Sequence, residues 1–391
     1  MGERQVTGLV CTNCGQRVSA KAGRCLECAE TGLVELAYDL ADVSRSLDLS
    51  TLARREPWMW RYKELLPLDE LAELPGLQIG YTPIFGAPRL AEWTGLDGLY
   101  LKDEGRSPAG TLEDRASALA SVQARQAGRK VLAVASGGAA APSLACLGAS
   151  AGQRAVVFAP DDAAEDDLAL AALFGALVLR VDGPLFEAAR LCAEACKKLR
   201  WFDRTPLAAP WTFEGLKTAG HEIADQLCER MPDWVAVADA AGGELVAAVA
   251  RGLEEMRRAG LVQAAPRILA VEPAGRVRLG GALKGREADA GWARAAKAVK
   301  ASDGAAVAVE DEAAREAALE AARRAALAVD PDGARVLAGL RQAASEGILE
   351  RGQRVLALVN GRARSSAKAA PRAEVGRELA KVEQAAKQAG V

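Results

Sequence analysis

The sequence predicts an α/β protein with mostly parallel sheets arranged in two lobes. The 391 residues are enough for two or three buried cores. From Gly80 onward, short runs rich in Val, Ala, Ile and Leu alternate with longer amphipathic stretches. The apolar runs are continuous rather than alternating, which predicts strands buried on both faces. The expected strands are Gly98–Lys102, Lys130–Ala135, Arg154–Ala159, Ala176–Val181, Trp234–Ala238, Arg267–Val271, Ala306–Val309 and Arg354–Val359. Most are separated by a run long enough for a helix, the pattern of parallel strands joined by crossovers.

The flanks differ from this body. Residues 1–35 read as a separate small unit, and residues 36–78, with Trp58 and Trp60 among helix formers, as a helical connector. The body spans 79–361. Residues 362–391 form an expected tail helix, with Pro371 near its start and Val375, Leu379, Val382 and Ala386 at helical spacing. Such a helix packs on the body or meets a partner. No internal repeat is present.

Half of the residues are hydrophobic, 26% are charged, and 50 basic against 52 acidic side chains leave a net charge of −2. That balance points to neither nucleic acid nor a membrane surface. The longest apolar runs fall short of the roughly 20 residues that span a bilayer. MGERQVTGLVC lacks a positive-then-apolar leader, so the cytoplasm is the expected compartment.

Eight cysteines agree with a reducing compartment. Cys11 and Cys14, then Cys25 and Cys28, form two Cys-x2-Cys pairs ten residues apart. That set suits one closed, tetrahedral structural zinc, with a metal-free ribbon or redox pair as the alternative. Gly15 permits the positive φ that a metal knuckle often needs, whereas Ala29 fits less comfortably. The segment has no aromatic residue to stack on bases, so nucleic acid is not an expected partner. Cys146, Cys192, Cys196 and Cys228 read as buried small hydrophobes, Cys192 and Cys196 sharing a helix face.

Several motifs occur in a fixed order. Leu99–Arg115 reads LYLKDEGRSPAGTLEDR. Gly80-Tyr81-Thr82-Pro83 precedes it, and Ser136-Gly137-Gly138-Ala139-Ala140 follows. Then come Phe213-Glu214-Gly215-Leu216-Lys217-Thr218, the stretch Asp239-Ala240-Ala241-Gly242-Gly243-Glu244-Leu245, and Val329-Asp330-Pro331. The double Cys-x2-Cys with Ala37-Tyr38-Asp39-Leu40 belongs to the same set. In this order, over about residues 8–361, they resemble the threonine synthase family. The resemblance implies the type II pyridoxal-phosphate fold, tryptophan synthase β-like, with two αβα lobes and a cleft between them.

Against that resemblance the cofactor positions depart. The family's lysine segment typically reads LKDEGxNPTGSFKDR, and its lysine falls on Glu113. A carboxylate cannot form the resting imine with pyridoxal phosphate. The neighbours Asp114 and Arg115 are kept, as parts of the framework. The asparagine of the SGNAA loop, after Ser136 and Gly137, falls on Gly138. In the phosphate loop Gly242 and Gly243 remain, an earlier glycine becomes Ala240, and an asparagine becomes Glu244. A carboxylate ~4 Å from a phosphate charge costs on the order of 4 kcal/mol at an effective dielectric of about 20. At a helix start it is favourable, so Glu244 is expected to occupy the anion site itself. The TGxG loop falls on Asn360-Gly361-Arg362-Ala363. The region Arg276–Ser302 looks shorter than in the family.

The sequence therefore reads as a threonine-synthase-like protein that does not catalyse and has a binding, scaffold or regulatory role. Pyridoxal phosphate is not expected to be bound covalently, and no small-molecule ligand can be named. A second copy or an active paralogue is an expected partner, as the family commonly forms dimers. The alternative is an active pyridoxal-phosphate-dependent threonine synthase, or a related lyase, using another lysine. Lys102 and Lys217 match lysines that the family carries besides the reactive one. His221, the single histidine, reads as structural rather than as part of a Ser-His-Asp hydrolase. Asp161-Asp162 and Asp166-Asp167 read as helix starts.

Overall fold

The computed structural model describes residues 6–19, 25, 27–28, 33–69, 72–205, 210–239, 242–274, 286–363, 373–374 and 376–390. The chain opens on a three-stranded antiparallel sheet of β1 (Val6–Cys11), β2 (Arg17–Val18) and β3 (Val34–Tyr38), ordered β2-β1-β3. Its third strand crosses the expected border at residue 35. Two short helices follow, α1 (Leu40–Ser46) and α2 (Leu49–Ala53), capped by the carboxylates of Asp39 and Asp48. A 3₁₀ stretch, Met59–Leu65, completes the connector.

The body enters through β4 (Ile84–Gly86), α3 (Pro88–Thr94), β5 (Gly98–Asp103) and α4 (Glu113–Gln126). The next elements are β6 (Val131–Ala135), α5 (Ala140–Ser150), β7 (Arg154–Ala159), α6 (Glu165–Leu173), β8 (Leu177–Arg180), α7 (Leu185–Leu199) and β9 (Phe202–Asp203). Helices α8 (Pro210–Leu216) and α9 (Thr218–Leu227) lead back to β10 (Trp234–Ala238), α10 (Glu244–Arg258), β11 (Arg267–Pro273), α11 (Arg286–Ala301) and β12 (Ala305–Val309). Then come α12 (Asp311–Ala325), α13 (Pro331–Ser345) and β13 (Arg354–Val359), and finally β14 (Ala373–Glu374) and α14 (Leu379–Gln388).

These strands build two sheets. One has the order β12-β11-β10-β13-β5-β4, parallel except for β4; the other is wholly parallel, β14-β8-β7-β6-β9. The eight strands expected from apolar runs all lie in these two sheets. Trp234–Ala238 is buried at every position, as a parallel strand covered on both faces must be. The sequence reading did not resolve β4, β9 or β14, whose two or three residues carry no periodicity. The tail was expected to be helix alone. Instead Ala373–Glu374 first joins the edge of β8, and α14 then packs Val382 and Ala386 against the cluster around α7. Pro371 and Val375 lie outside the described residues.

The retained motifs meet in one buried ionic network. The Arg115 guanidinium donates to both carboxylate oxygens of Glu104 and of Glu222, at 2.6–3.0 Å. Lys102 Nζ lies 3.0 Å from Glu222, and Thr82 Oγ1 donates to Glu104 at 2.8 Å. All of these except Thr82 are fully inaccessible. Burial alone would raise the Glu222 carboxyl; Arg115 and Lys102 hold it down to about 2. Gly80 is required here: it takes φ 79°, and a Cβ would stand 2.2 Å from Glu222 Oε1. Asp114 closes the neighbouring turn by accepting from Ala109 N–H at 2.7 Å.

A second buried group joins the connector to α8–α10. Lys217 pairs with Glu214 at 2.5 Å and Glu255 at 3.1 Å, and its ammonium lies 4.0 Å from the centre of the Tyr38 ring. Tyr38 donates to Glu214 at 2.6 Å, and His221 Nε2 meets Glu255 at 2.9 Å. Burial lowers the His221 pKa, and the imidazole is fully enclosed within this group.

Removing one member of such a network strands its partners in a dry interior. Arg115→Met leaves Glu104 and Glu222 without their guanidinium, and is expected to cost about 3–5 kcal/mol. Equilibrium urea unfolding measures this; a loss within experimental error would show that the network does not stabilise the fold.

Candidate functional site

Helix α4 begins at the cleft, and its first residue is Glu113. Its side chain is one-quarter exposed and forms an ion pair with Arg204 Nη2, whose own side chain is fully buried. The same nitrogen lies 3.4 Å from the Glu113 carbonyl oxygen. Arg204 follows β9, and its backbone N–H is anchored on Ala133 O at 2.8 Å. Its Nε and Nη1 have no hydrogen-bond partner among the described residues.

The Ser136-Gly137-Gly138 turn lies at the end of β6. Ser136 Oγ accepts from Gly138 N–H at 3.1 Å, closing the loop on itself. A Cβ on Gly138 would meet only Asp167 Oδ2, at 3.7 Å. The position has room for a side chain, so sterics alone do not demand glycine there.

At the head of α10, Gly242 and Gly243 adopt φ 111° and 82°. The expectation for Glu244 fails here. It is Asp239, at the end of β10, whose Oδ2 accepts from the Leu245 amide at 2.8 Å. Glu244 instead turns toward Arg294 of α11, 3.9 Å away. Burial pushes the Glu244 carboxyl up to about 7; Arg294 opposes that shift and Glu113 adds to it. Helix α11 also closes on the loop, since a Cβ on Gly243 would lie 2.6 Å from Ala295 Cβ and 2.9 Å from the Trp292 ring. Ala240 lies outside the described residues, as does the stretch 276–285 of the region Arg276–Ser302 that was expected to be shorter than in the family.

Asn360 follows β13, and its carbonyl oxygen receives the Leu112 amide at 3.4 Å. Its side-chain Oδ1 is buried without a partner among the described residues. Neither Lys102 nor Lys217 reaches this cleft as a free amine, because each is fully buried in the ion pairs described above. The cleft side chains therefore fit pyridoxal phosphate poorly. An amine is missing at Glu113, and an internal carboxylate already holds an amide at the head of α10.

In the N-terminal sheet, the sulfurs of Cys11, Cys14, Cys25 and Cys28 all lie within 4.8 Å of one another, a set that could hold one metal ion. Gly15 takes φ 74°, as expected of a knuckle; Ala29 lies outside the described residues. This unit is tied to the cleft by α11: Lys297 Nζ donates to Thr12 O at 2.9 Å, and Arg294 pairs with Glu35 at 3.4 Å.

The sequence reading missed Arg204, Arg294 and the Asp239 acceptor. One signal for Arg204 existed: a carboxylate at the start of a helix buried along most of its length calls for a nearby cation. Nothing in the sequence says which arginine supplies it.

Two helix-flanked sheets, one wholly parallel and one parallel but for an edge strand, define a class of two-lobed α/β folds. The pyridoxal-phosphate dependent enzyme family matches residues 76–361, so the chain belongs to that family, as a threonine-synthase-like member. The threonine synthase of Methanocaldococcus jannaschii is 29% identical over 383 residues, covering 90% of this chain and 94% of that protein. That of Mycobacterium bovis is 30% identical over 324 residues, 79% of this chain and 89% of the relative. Among solved structures, the processed form of threonine deaminase isoform 2 from Solanum lycopersicum superposes with a TM-score of 0.59 at 18% identity, covering 79% of this chain and 88% of that one. A pyridoxal 5'-phosphate-dependent aspartate racemase gives 0.61 at 16% identity, covering 72% and 90%. At these identities the structures show the fold. Among the described residues no helix is long and apolar enough to cross a membrane.

Glu244 makes the cleft sensitive to pH. Its folded pKa of about 7 lies above the ordinary 4.5, so its stabilising contribution is full below about pH 4.5 and is lost as pH rises through 7. At about 1.4 kcal/mol per pH unit the loss approaches about 3 kcal/mol. Glu244→Gln should flatten the pH dependence of unfolding between pH 4.5 and 8 by up to that amount. Denaturant midpoints for both proteins at the two pH values test this; parallel curves would refute it.

Proposed function

We propose that this protein is a threonine-synthase-like family member that does not catalyse, and that the retained fold has a binding, scaffold or regulatory role. One observation carries the reading. The position matched to the family's imine-forming lysine is Glu113, and its carboxylate is committed to the buried Arg204. An imine needs a primary amine, and a carboxylate supplies none. The burial of Lys102 and Lys217 in ion pairs supports the same reading, because an ammonium held between carboxylates is a poor nucleophile. So does the use of the Leu245 amide by Asp239 rather than by a ligand phosphate.

In this reading the N-terminal cysteines hold a structural zinc, and with four thiolates that ion has no open position for catalysis. The protein acts in the cytoplasm, with a second copy or an active paralogue as its partner.

The test is direct. The purified protein is mixed with pyridoxal phosphate, examined for the visible absorption of an imine, and reduced with borohydride. No lysine adduct is expected. A borohydride-stable adduct on a lysine, with threonine formation, would instead make this an active lyase using another lysine.

Glu113→Lys should not rescue activity. It places an ammonium beside the buried Arg204, which then loses its anion. Because Glu113 is partly exposed, the expected cost is about 1–3 kcal/mol. A single variant that formed threonine would overturn the proposal.

A further inference from the structure

A group of side chains distinct from the N-terminal cysteines remains unexplained by the fold. Cys192 and Cys196 lie one turn apart on α7, with sulfurs 4.0 Å from each other. The chain then turns into β9, which places the Asp203 carboxylate 3.7 Å from Cys192 Sγ. One ligand atom from each of the three lies within 4.8 Å of the others.

Each of these groups is held in place. Asp203 Oδ1 accepts from Thr205 N–H at 2.8 Å. The Thr205 hydroxyl accepts from Ala135 N–H at 3.0 Å and donates toward Cys192 Sγ at 3.7 Å. Cys192 is fully buried and Cys196 nearly so, while Asp203 is half-buried. Strand alternation sends Asp203 and Thr205 toward α7 and Arg204 to the opposite side, toward Glu113.

A disulfide is the wrong chemistry for this geometry. Side chains four apart on a helix hold their Cβ atoms about 5–6 Å apart, whereas a disulfide needs about 3.5–4.5 Å. Closing the bond would unwind α7 in the middle of a packed cluster. A shared metal has the right span. Two thiolates bound at about 2.3 Å on a tetrahedral ion stand about 3.8 Å apart, close to the observed separation. Packing alone gives no reason for the carboxylate. Two cysteines filling a core need no acid beside them, and burial pushes both the Cys192 thiol and the Asp203 carboxyl up, away from their charged forms. A cation at the centre of the group reverses that penalty for both.

We propose that Cys192, Cys196 and Asp203 form a second metal site, selective for a zinc-class divalent cation, with its remaining position filled by water on the half-buried Asp203 side. Binding displaces the protons of both thiols into solvent, so affinity rises with pH.

The experiment uses the full chain and zinc alone. After dialysis against zinc and removal of the excess, elemental mass spectrometry should count two ions per chain. Cys192→Ala and, separately, Asp203→Asn should each lower the count to one at limiting zinc. Asp203→Asn keeps the acceptor for Thr205 N–H, so its thermal midpoint in chelator should equal that of the wild type. Its zinc Kd at this site should rise at least ~10-fold. A Cys11→Ser/Cys14→Ser variant should retain one ion and, with cobalt in place of zinc, sulfur-to-metal absorption from two thiolates. One zinc in the wild type that Cys192→Ala leaves in place would overturn the proposal. So would two ions whose affinity is indifferent to Asp203→Asn.

Discussion

The bond on which the rest of the molecule depends is the double fork of Arg115 between Glu104 and Glu222. It joins the turn after β5, the first turn of α4 and the centre of α9, and it closes over Gly80, where no side chain fits. Desolvating one arginine and two carboxylates is costly, and that cost is offset only while every donor and acceptor is matched. The matching fixes where α4 starts, and therefore where Glu113 stands. Asp114 and Arg115 thus act as framework, as the sequence suggested. The motif around the lysine position can persist when the lysine does not, because most of its residues answer to this network rather than to any ligand.

The cleft follows the same logic of local neutralisation. Glu113 has Arg204, Glu244 has Arg294, and Asp239 takes an amide at the head of α10. A helix start stripped of a phosphate would leave orphan N–H groups in a covered place. Here a carboxylate from the preceding strand accepts one of them. Each of these pairs is internal to the chain, which is why the proposed loss of chemistry need not destabilise the fold.

How much of this the sequence disclosed depended on range. The eight longer strands were legible because continuous apolar runs report burial on both faces, and the departures at Glu113, Gly138 and Glu244 were legible against an ordered set of motifs. The partners were not. Arg204 follows a two-residue strand with no periodicity, and its burial is a tertiary fact. Glu244 was expected at the anion site from its place in the helix; the structure gives that contact to Asp239, five residues earlier, because the loop through Gly242 and Gly243 folds back at positive φ. Cys192 and Cys196 were read as core, which their burial bears out. The Asp203 carboxylate beside them is brought in by the return of the chain from α7 into β9, a proximity that spacing along one helix could not show.

The N-terminal unit is more than an appendage to this arrangement. Helix α11 presses Trp292 and Ala295 onto Gly243 and carries Arg294, which faces both Glu244 in the cleft and Glu35 on β3. The same helix reaches Thr12, between two of the clustered cysteines, through Lys297. Arg294 also sits over the Phe213 ring, its guanidinium carbon 3.9 Å from the ring centre. A displacement of the cysteine unit would therefore move the counter-charge of Glu244, whose carboxyl is poised near 7. Withdrawing Arg294 removes the larger of the two cationic influences on that carboxyl, leaving Arg204 alone against its burial and the Glu113 and Asp239 charges. Glu35 of the N-terminal sheet thus meets the body through two arginines, Arg251 of α10 at 3.9 Å and Arg294 of α11 at 3.4 Å, and the second of these also faces Glu244.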